Sequence, residues 1–260
     1  MNKIAEAFSN KKAFIPFLTA GDPDLETTKE LILAMQEAGA DLIEIGIAFS
    51  DPVAEGPVIQ EADDRALAAG TTTDKIFDMV ASIQDKIHIP MVFMTYINPI
   101  YVYGIEKFAK KTKECGVAGV IVPDVPYEEK QELNDVFKAE GLTVISMIAP
   151  TSSERVQMIA KEAEGFVYCV SSLGVTGVRT EISTGIADLI QQVKAVRDIP
   201  CAIGFGISTP EQAKAMAEIS DGAIVGSAIV RIIAEHGKSS VPFVRDYVAS
   251  MKRAVTQANN

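Results

Sequence analysis

Two glutamates, Glu44 and Glu55, stand in the segment of the chain that is richest in possible chemistry. Glu44 interrupts a short apolar run, 42–47, that predicts a β-strand, whereas Glu55 follows in a stretch with Gly and Pro that predicts a loop. One carboxylate on a rigid strand and one on a mobile loop suit acid–base chemistry on an enclosed substrate. A salt-bridged core acid and a solvated loop acid are the plainer interpretation of the same two residues.

A weak pattern recurs along the chain and indicates which elements position these groups. A helical stretch ends near Gly and a short apolar run follows, at 36–45, 113–122, 138–147, 161–170 and 217–226. Gly at a helix C-terminus supplies the left-handed residue that turns the chain into the next strand. Two further strands follow the Ile-Pro pairs at 89–90 and 199–200, where Pro at the first strand position removes no ladder hydrogen bond.

With an apolar run at 14–19 near the start of the chain, eight strands result, separated by helical patterns. The predicted strands are 14–19, 41–46, 91–96, 118–122, 143–148, 165–170, 201–205 and 222–226, and the predicted helices lie near 25–39, 73–86, 104–116, 127–140, 152–163, 185–197, 209–218 and 240–256. Strand–helix alternation predicts a parallel sheet buried on both faces, and eight repeats predict a closed (β/α)8 TIM barrel. We therefore expect a single α/β domain over 1–260, with long loops after the second and sixth strands. A doubly wound open sheet is the alternative.

In such a barrel the active site lies at the C-terminal ends of the strands, where Glu44 is found. Side chains alternate between the two faces of a strand, so Glu44 shares a face with Leu42. The opposite face carries Ile43, Ile45 and Ile47. The isoleucine face is expected to pack on the helices, which leaves Glu44 pointing into the barrel mouth.

Two glycine-rich turns, 204–208 after the seventh predicted strand and 226–230 after the eighth, each open a helix. Loops after strands 7 and 8 form the usual phosphate site of this fold. Gly permits close backbone approach, Ser227 adds a hydroxyl, and the helix dipole favours an anion. The pair predicts a phosphate or similar anion, and ordinary tight turns are the alternative.

The loop after the sixth strand, 171–184, is long and polar. Loops of this kind act as lids or lack fixed structure. As a lid it would exclude water and bring Thr176 and Gly177 over the ligand, whereas a loop without function is the alternative.

The predicted mouth is apolar and aromatic. The residues near the strand ends are Phe17, Met94, Tyr96, Tyr168 and Phe205. Most should be packing residues, but some are expected to line a pocket for a flat aromatic group, since ligand sites are largely apolar with a few placed polar groups.

Composition excludes several classes of function. A net charge of −11 argues against a nucleic-acid or anionic-membrane surface. No apolar run approaches the roughly 20 residues of a membrane span, and the N-terminus does not resemble a signal peptide. Cys115, Cys169 and Cys201 are scattered without a CxxC pair, which indicates buried thiols in a reducing compartment. We expect a cytoplasmic protein.

The sequence also argues against two kinds of catalysis. None of the predicted strands contains Lys or Arg, so none offers a lysine for a Schiff base. The two histidines, His88 and His236, belong to no cluster that suggests a metal site. An enzyme built on this chain would rely on carboxylates and work without a metal.

Along nearly its whole length the chain resembles the tryptophan synthase alpha chain family. The matching stretches are Pro16–Pro23, Glu44–Gly46, Phe49–Pro52, Gly56–Pro57, Met94–Tyr96 with Asn98, Pro123–Pro126, Gly174–Gly177, Gly204–Ser208 and Gly226–Val230. The resemblance implies retro-aldol cleavage of indole-3-glycerol phosphate to indole and glyceraldehyde 3-phosphate. It also implies an alpha-beta-beta-alpha complex with a beta chain, in which pyridoxal phosphate is bound by the beta chain and no cofactor by this one.

The resemblance further implies roles for individual residues. Glu44 matches the family's catalytic glutamate, and Glu55 occupies the position of the second catalytic carboxylate, which stabilises the indole N–H. The phosphate site is matched by Gly177, Gly206, Gly226 and Ser227. The pocket and lid are matched by Phe17, Met94, Tyr96, Tyr168, Thr176 and Phe205.

Two departures from the family pattern stand beside Glu44. Ala48 replaces a usual proline, and Glu55 replaces a usual aspartate. The longer Glu side chain could displace its carboxylate by about 1 Å, enough to cost ~100-fold in rate. A weakly catalytic or non-catalytic regulatory subunit that activates a beta chain is therefore the alternative function. Another phosphate-binding barrel lyase or isomerase would need a further catalytic residue that the strands do not offer.

Overall fold

The computed structural model describes residues 3–170, 179–204 and 206–258, and for 179–184 it describes the backbone alone. Three residues predicted to belong to the site, Thr176, Gly177 and Phe205, lie outside the described residues.

Nine parallel strand segments form one sheet. They are β1 Ala13–Thr19, β2 Ile43–Gly46, β3 Met91–Met94, β4 Gly119–Ile121, β5 Thr143–Val144, β6 Ser146–Ile148, β7 Val167–Val170, β8 Cys201–Gly204 and β9 Gly222–Val225. Their order in the sheet is β5-β4-β3-β2-β1-β9-β8-β7-β6. The first and last segments of that order are consecutive in the chain and separated only by Ile145, whose N–H donates to the carbonyl of Val120 over 2.9 Å.

Segments β5 and β6 are thus the two halves of one barrel strand, which was predicted as 143–148. Each half pairs with a different neighbour, β5 with β4 and β6 with β7, so the sheet returns to its starting point. Eight strand positions around a ring confirm the predicted TIM barrel. The doubly wound alternative is wrong, because the strand order never reverses as it does in an open sheet of that type.

Twelve α-helices are present in the described residues. They are α1 Lys3–Glu6, α2 Leu25–Glu37, α3 Pro57–Ala68, α4 Thr73–Ala81, α5 Ile97–Tyr103, α6 Ile105–Glu114, α7 Lys130–Ala139, α8 Ser153–Glu162, α9 Arg179–Val196, α10 Pro210–Ile219, α11 Ser227–His236 and α12 Val241–Gln257. Helix α9 begins at Arg179, so the predicted loop 171–184 ends earlier than expected.

Helix α3, in the connection after β2, was not predicted. The Gly and Pro that suggested a loop form its start instead: Gly56 is the N-cap and Pro57 is the first helical residue. Proline is favoured there because the first N–H of a helix has no intrahelical partner. Ile59, Ala62 and Ala66 are buried at a helical spacing along the same face.

The buried apolar residues form two cores, one on each face of the sheet. Ile43, Ile45 and Ile47 belong to the outer core, between the strands and the helices. Leu42 belongs to the core inside the barrel. Burying one such isoleucine contributes about 1.5–3 kcal/mol, so the outer face of β2 is strongly specified. This arrangement directs Glu44 inward, as predicted.

The three cysteines are free and buried, as expected from their scatter. Among the described helices, none combines the length and the apolar character needed to cross a membrane.

Candidate active site

A cavity of about 420 Å³ opens at the C-terminal ends of the strands. Eight residues predicted for the site line it: Phe17, Glu44, Glu55, Met94, Tyr168, Gly206, Gly226 and Ser227. Residues without a predicted role that also line it are Ala54, Gly56, Ile59, Ile207, Ser208, Ile224, Ala228 and Arg231. The fold thus brings carboxylates, an aromatic wall and two glycine-rich turns around one space.

Glu44 is held on β2 between Phe17 of β1 and Val92 of β3, its register partners. Its side chain is 1% exposed, and neither carboxyl oxygen has a hydrogen-bond partner among the described residues. Burial without a compensating charge raises the pKa of Glu44 to about 8. Glu44 is therefore mainly protonated at neutral pH and able to donate a proton.

Glu44 forms no ion pair with any residue that the structure describes, so a salt-bridged core acid does not account for it. A buried carboxyl group without partners costs free energy of folding, and such groups concentrate where a protein uses them.

Tyr168 on β7 faces the same space and is 5% exposed. The pKa of Tyr168 lies well above its usual value because of burial and, secondarily, because of the nearby Glu44 carboxylate. A side chain at Gly204 would overlap the Tyr168 ring, so this glycine makes room for the tyrosine. Gly46 does the same for Phe17, since a Cβ there would lie 2.7 Å from the ring carbon Cζ.

Glu55 is half-buried in the loop between β2 and α3, and its Oε2 has no described hydrogen-bond partner. Burial is the main cause that raises the pKa of Glu55 to about 8, and the neighbouring Asp63 carboxylate adds to it. A side-chain hydrogen bond joins Glu55 to Asp63, and the two carboxyl groups together retain a proton at neutral pH.

Asp63 comes from helix α3 and is 4% exposed. Its Oδ1 accepts a hydrogen bond from the Thr19 hydroxyl and its Oδ2 accepts one from the Phe49 N–H, each over 3.4 Å. These donors stabilise the anion, but burial dominates and raises the pKa of Asp63 to about 6. Asp63 therefore joins the loop after β2 to the end of β1.

Tyr96, predicted to line the pocket, instead lies behind the loop. It is 2% exposed, and its hydroxyl accepts a hydrogen bond from the Ala54 N–H over 3.0 Å. Its ring packs on Phe49 with the centroids 5.4 Å apart. Tyr96 thereby holds the backbone of the loop one residue before Glu55.

The part of the cavity formed by the two glycine-rich turns is suited to an anion. Gly206 adopts a φ of +74°, a conformation that disfavours side chains, and Gly226 is the N-cap of helix α11. The first N–H groups of a helix lack intrahelical partners, and in α11 Gly226, Ser227 and Ala228 all face the cavity. These donors and the helix dipole favour a phosphate there.

In the part of the chain that the structure describes, no group of three or more His, Cys, Asp or Glu side chains could hold a metal ion. His88 is exposed, and His236 ends α11 with its ring stacked on Phe243 at 3.7 Å between centroids.

Two charged residues at or beside the cavity, Asp63 and Arg231, were missed from the sequence. Asp63 lies one residue after Ala62 on the buried face of α3, and recognising that helix would have indicated it. Arg231 stands four residues after Ser227, so helical spacing places both on one face of α11.

The chain is similar to known proteins in both sequence and structure. The family model described as tryptophan synthase alpha chain matches residues 4–259. The tryptophan synthase alpha chain of Lactiplantibacillus plantarum is 48% identical over 256 residues, covering 98% of this chain and 97% of the relative. That of Lacticaseibacillus casei is 45% identical over 255 residues, covering 98% and 96%.

Solved structures agree with the sequence relatives. Tryptophan synthase subunit alpha from Legionella pneumophila superposes with a TM-score of 0.90 at 37% identity, covering 99% of both chains. A chain from the tryptophan synthase a2b2 complex of Pyrococcus furiosus superposes with a TM-score of 0.86 at 39% identity, covering 94% of this chain and 99% of the other. The barrel, the cavity and these matches agree, and the chain belongs to the tryptophan synthase alpha chain family.

Proposed function

We infer that this chain is a lyase of tryptophan biosynthesis that cleaves indole-3-glycerol phosphate to indole and glyceraldehyde 3-phosphate. Family membership supports this reaction. The observation that carries it in this molecule is Glu44, a buried carboxyl group that has no hydrogen-bond partner among the described residues and lines the same cavity as the two glycine-rich turns. The reaction needs an acid and a phosphate site, and no step in it calls for a metal.

The first step adds a proton to C3 of the indole ring. Glu44, whose pKa of about 8 keeps it protonated at neutral pH, is the proposed donor. Protonation places positive charge on the ring and its nitrogen. The Glu44 carboxylate then takes the proton of the hydroxyl group on the carbon attached to C3. The C–C bond breaks as that carbon becomes an aldehyde, and the bonding electrons return to the ring to form indole.

Glu55 is the proposed partner of the indole N–H. A carboxylate there would stabilise the positive charge that develops after protonation at C3. This role requires Glu55 to be ionised, so its proton must leave before or during substrate binding. Asp63 and Tyr96 hold the loop that carries Glu55 through the contacts described above.

The substrate phosphate is assigned to Gly206, Gly226 and Ser227, together with Gly177 by family resemblance. The indole ring is assigned to the apolar wall formed by Phe17, Met94 and Tyr168. Thr176 and Phe205 are assigned to the lid and pocket by resemblance alone. With this placement the reacting carbon would lie between the ring and the phosphate, in the cavity that Glu44 also lines.

A beta-chain partner is also proposed, in an alpha-beta-beta-alpha complex. The a2b2 complex among the similar structures supports it. In that arrangement the beta chain would bind pyridoxal phosphate and join indole to serine, and this chain would hold no cofactor. We further propose that 1–260 fold as one domain and that the protein works in the cytoplasm.

Indole release from indole-3-glycerol phosphate tests the function. We expect the purified chain to release indole and glyceraldehyde 3-phosphate in equal amounts, faster when a beta chain is added. If the chain released no indole with or without a beta chain but still accelerated the beta reaction, the regulatory-subunit alternative would replace the lyase assignment.

A further inference from the structure

Arg231 lines the same cavity as Gly226 and Ser227. It is the one basic side chain among the described residues that form the cavity wall. The family resemblance assigned it no role, and backbone N–H groups with one hydroxyl were the whole of the predicted anion site.

Helix geometry directs Arg231 toward that site. Ser227 is the first residue of α11, and Arg231 lies four positions later on the same face. Helical side chains lean toward the N-terminus of their helix, so a residue covers the turn that precedes it. The guanidinium of Arg231 can therefore extend back over the turn that bears Gly226 and Ser227.

Arg231 is also uncommitted within the described part of the chain. Other arginines pair with carboxylates, such as Arg65 with Asp22 and Arg155 with Glu128, each over 2.8 Å. No ion pair or hydrogen bond joins Arg231 to a described residue, and Glu235, one turn further along α11, does not bind it. The side chain is exposed and ready for an external anion.

The negative charge of the protein makes a cation at this site useful for binding an anion. The chain carries a net charge of −11, and the same cavity contains Glu44 and Glu55. A phosphate dianion entering this field meets donors that carry only partial positive charge at the helix terminus. A guanidinium offers a full charge and a planar fork that matches two phosphate oxygens.

We propose that Arg231 binds the phosphate group of the substrate and thereby sets the affinity for it. The role concerns binding more than the chemical step, because the phosphate lies at the end of the cavity away from the reacting carbon. The proposal rests on the proposed lyase function for its kinetic test, but its binding test is independent of catalysis.

The test compares Arg231→Gln, Arg231→Lys and the control Arg253→Gln. Arg253 is an exposed arginine on α12, outside the cavity, so the control removes the same charge elsewhere. We expect Arg231→Gln to raise KM for indole-3-glycerol phosphate by about tenfold with kcat within about twofold, as for a lost charge-assisted contact. The KM of Arg231→Lys should lie between those of Arg231→Gln and the wild type, and the KM of Arg253→Gln should equal that of the wild type.

Calorimetry with glycerol 3-phosphate and inorganic phosphate supplies the second measurement. Weaker binding by Arg231→Gln than by Arg253→Gln would support the proposal even if the wild type released no indole, an outcome that would count only against the lyase function. Equal KM and equal phosphate affinity in the two variants would overturn the role of Arg231, as would a loss confined to kcat.

Discussion

Glu55, half-buried on the loop after β2, and Asp63, buried on helix α3, are neighbouring carboxyl groups joined by a side-chain hydrogen bond. Burial and the Asp63 charge raise the pKa of Glu55 to about 8, whereas the pKa of Asp63 rises only to about 6. The pair therefore retains a proton at neutral pH, and the proposed mechanism needs Glu55 as an anion. Removal of this proton becomes a condition for activity.

This pair predicts the pH profile of cleavage. Between pH 6 and 8, kcat/KM should rise as Glu55 ionises, and above pH 8 it should fall as Glu44 loses the proton it must donate. The result is a narrow bell centred near pH 8. A rate independent of pH from 6 to 9 would contradict both assignments.

Asp63→Asn separates the two limbs of that bell. Removing the adjacent negative charge should lower the pKa of Glu55, moving the acid limb by about one unit while the alkaline limb stays in place. Asp135→Asn, an exposed aspartate on α7, serves as the control with an unchanged profile. Superimposable pH profiles for Asp63→Asn and the wild type would show that Asp63 does not control the pKa of Glu55.

Glu44 also makes folding stability depend on pH. Its folded pKa of about 8 exceeds the ordinary value of 4.5, so the folded state keeps a proton that the unfolded state loses. The free energy of unfolding contributed by this group therefore decreases as pH rises from about 4.5 to 8. Glu44→Gln lacks this dependence. The difference in free energy of unfolding between Glu44→Gln and the wild type should therefore shift in favour of the variant by at least about 1 kcal/mol as the pH rises from 5 to 8.

Urea unfolding at several pH values measures that difference. Glu30→Gln, at an exposed position on α2, is the matched control. Its free energy of unfolding should vary with pH in the same way as that of the wild type. Parallel curves for Glu44→Gln as well would mean that Glu44 is ionised in the folded protein.

Ser227→Asp tests the phosphate end of the cavity. An aspartate at the first position of α11 suits the helix dipole, so the melting temperature should hold or rise slightly. The same carboxylate would repel the substrate phosphate, and KM should increase by about tenfold or more. Ser153→Asp, at the first position of α8, repeats the change away from the cavity and should leave KM unaltered. An unchanged KM for Ser227→Asp would place the phosphate elsewhere.

Much of this architecture could be predicted from the sequence, because it depends on local signals. Gly at helix ends and Ile-Pro before strands located seven of the eight strand positions, and the alternation of Leu42 and Ile43 oriented Glu44. Helix α3 was not predicted, because Gly56 and Pro57 are typical both of a loop and of a helix start. Asp63 was missed with it.

Other features depend on tertiary contacts that no local pattern encodes. Tyr96 holds the loop at Ala54 instead of lining the cavity, a relationship between residues 42 positions apart. The split of the fifth barrel strand at Ile145 arises where each half pairs with a different neighbour. The pKa values of Glu55 and Asp63 likewise reflect a contact across the β2–α3 connection.

The loop after β2 offers a test of how Glu55 replaces the usual aspartate. Glu55→Asp alone shortens the side chain, and Ala48→Pro alone stiffens the loop. The double variant should raise cleavage by more than the product of the single effects, because residues on one short loop are expected to couple. A double-mutant cycle on kcat/KM measures this, and strictly multiplicative effects would show that the two positions act independently.

The central claim is that Glu44 supplies the proton for cleavage, and single-turnover cleavage by Glu44→Gln tests it most directly. The substitution keeps the size of the side chain and removes the transferable proton. We predict a loss of at least ~100-fold in the rate of indole formation, with unchanged affinity for glycerol 3-phosphate. A variant that retained a tenth of the wild-type rate would contradict the account.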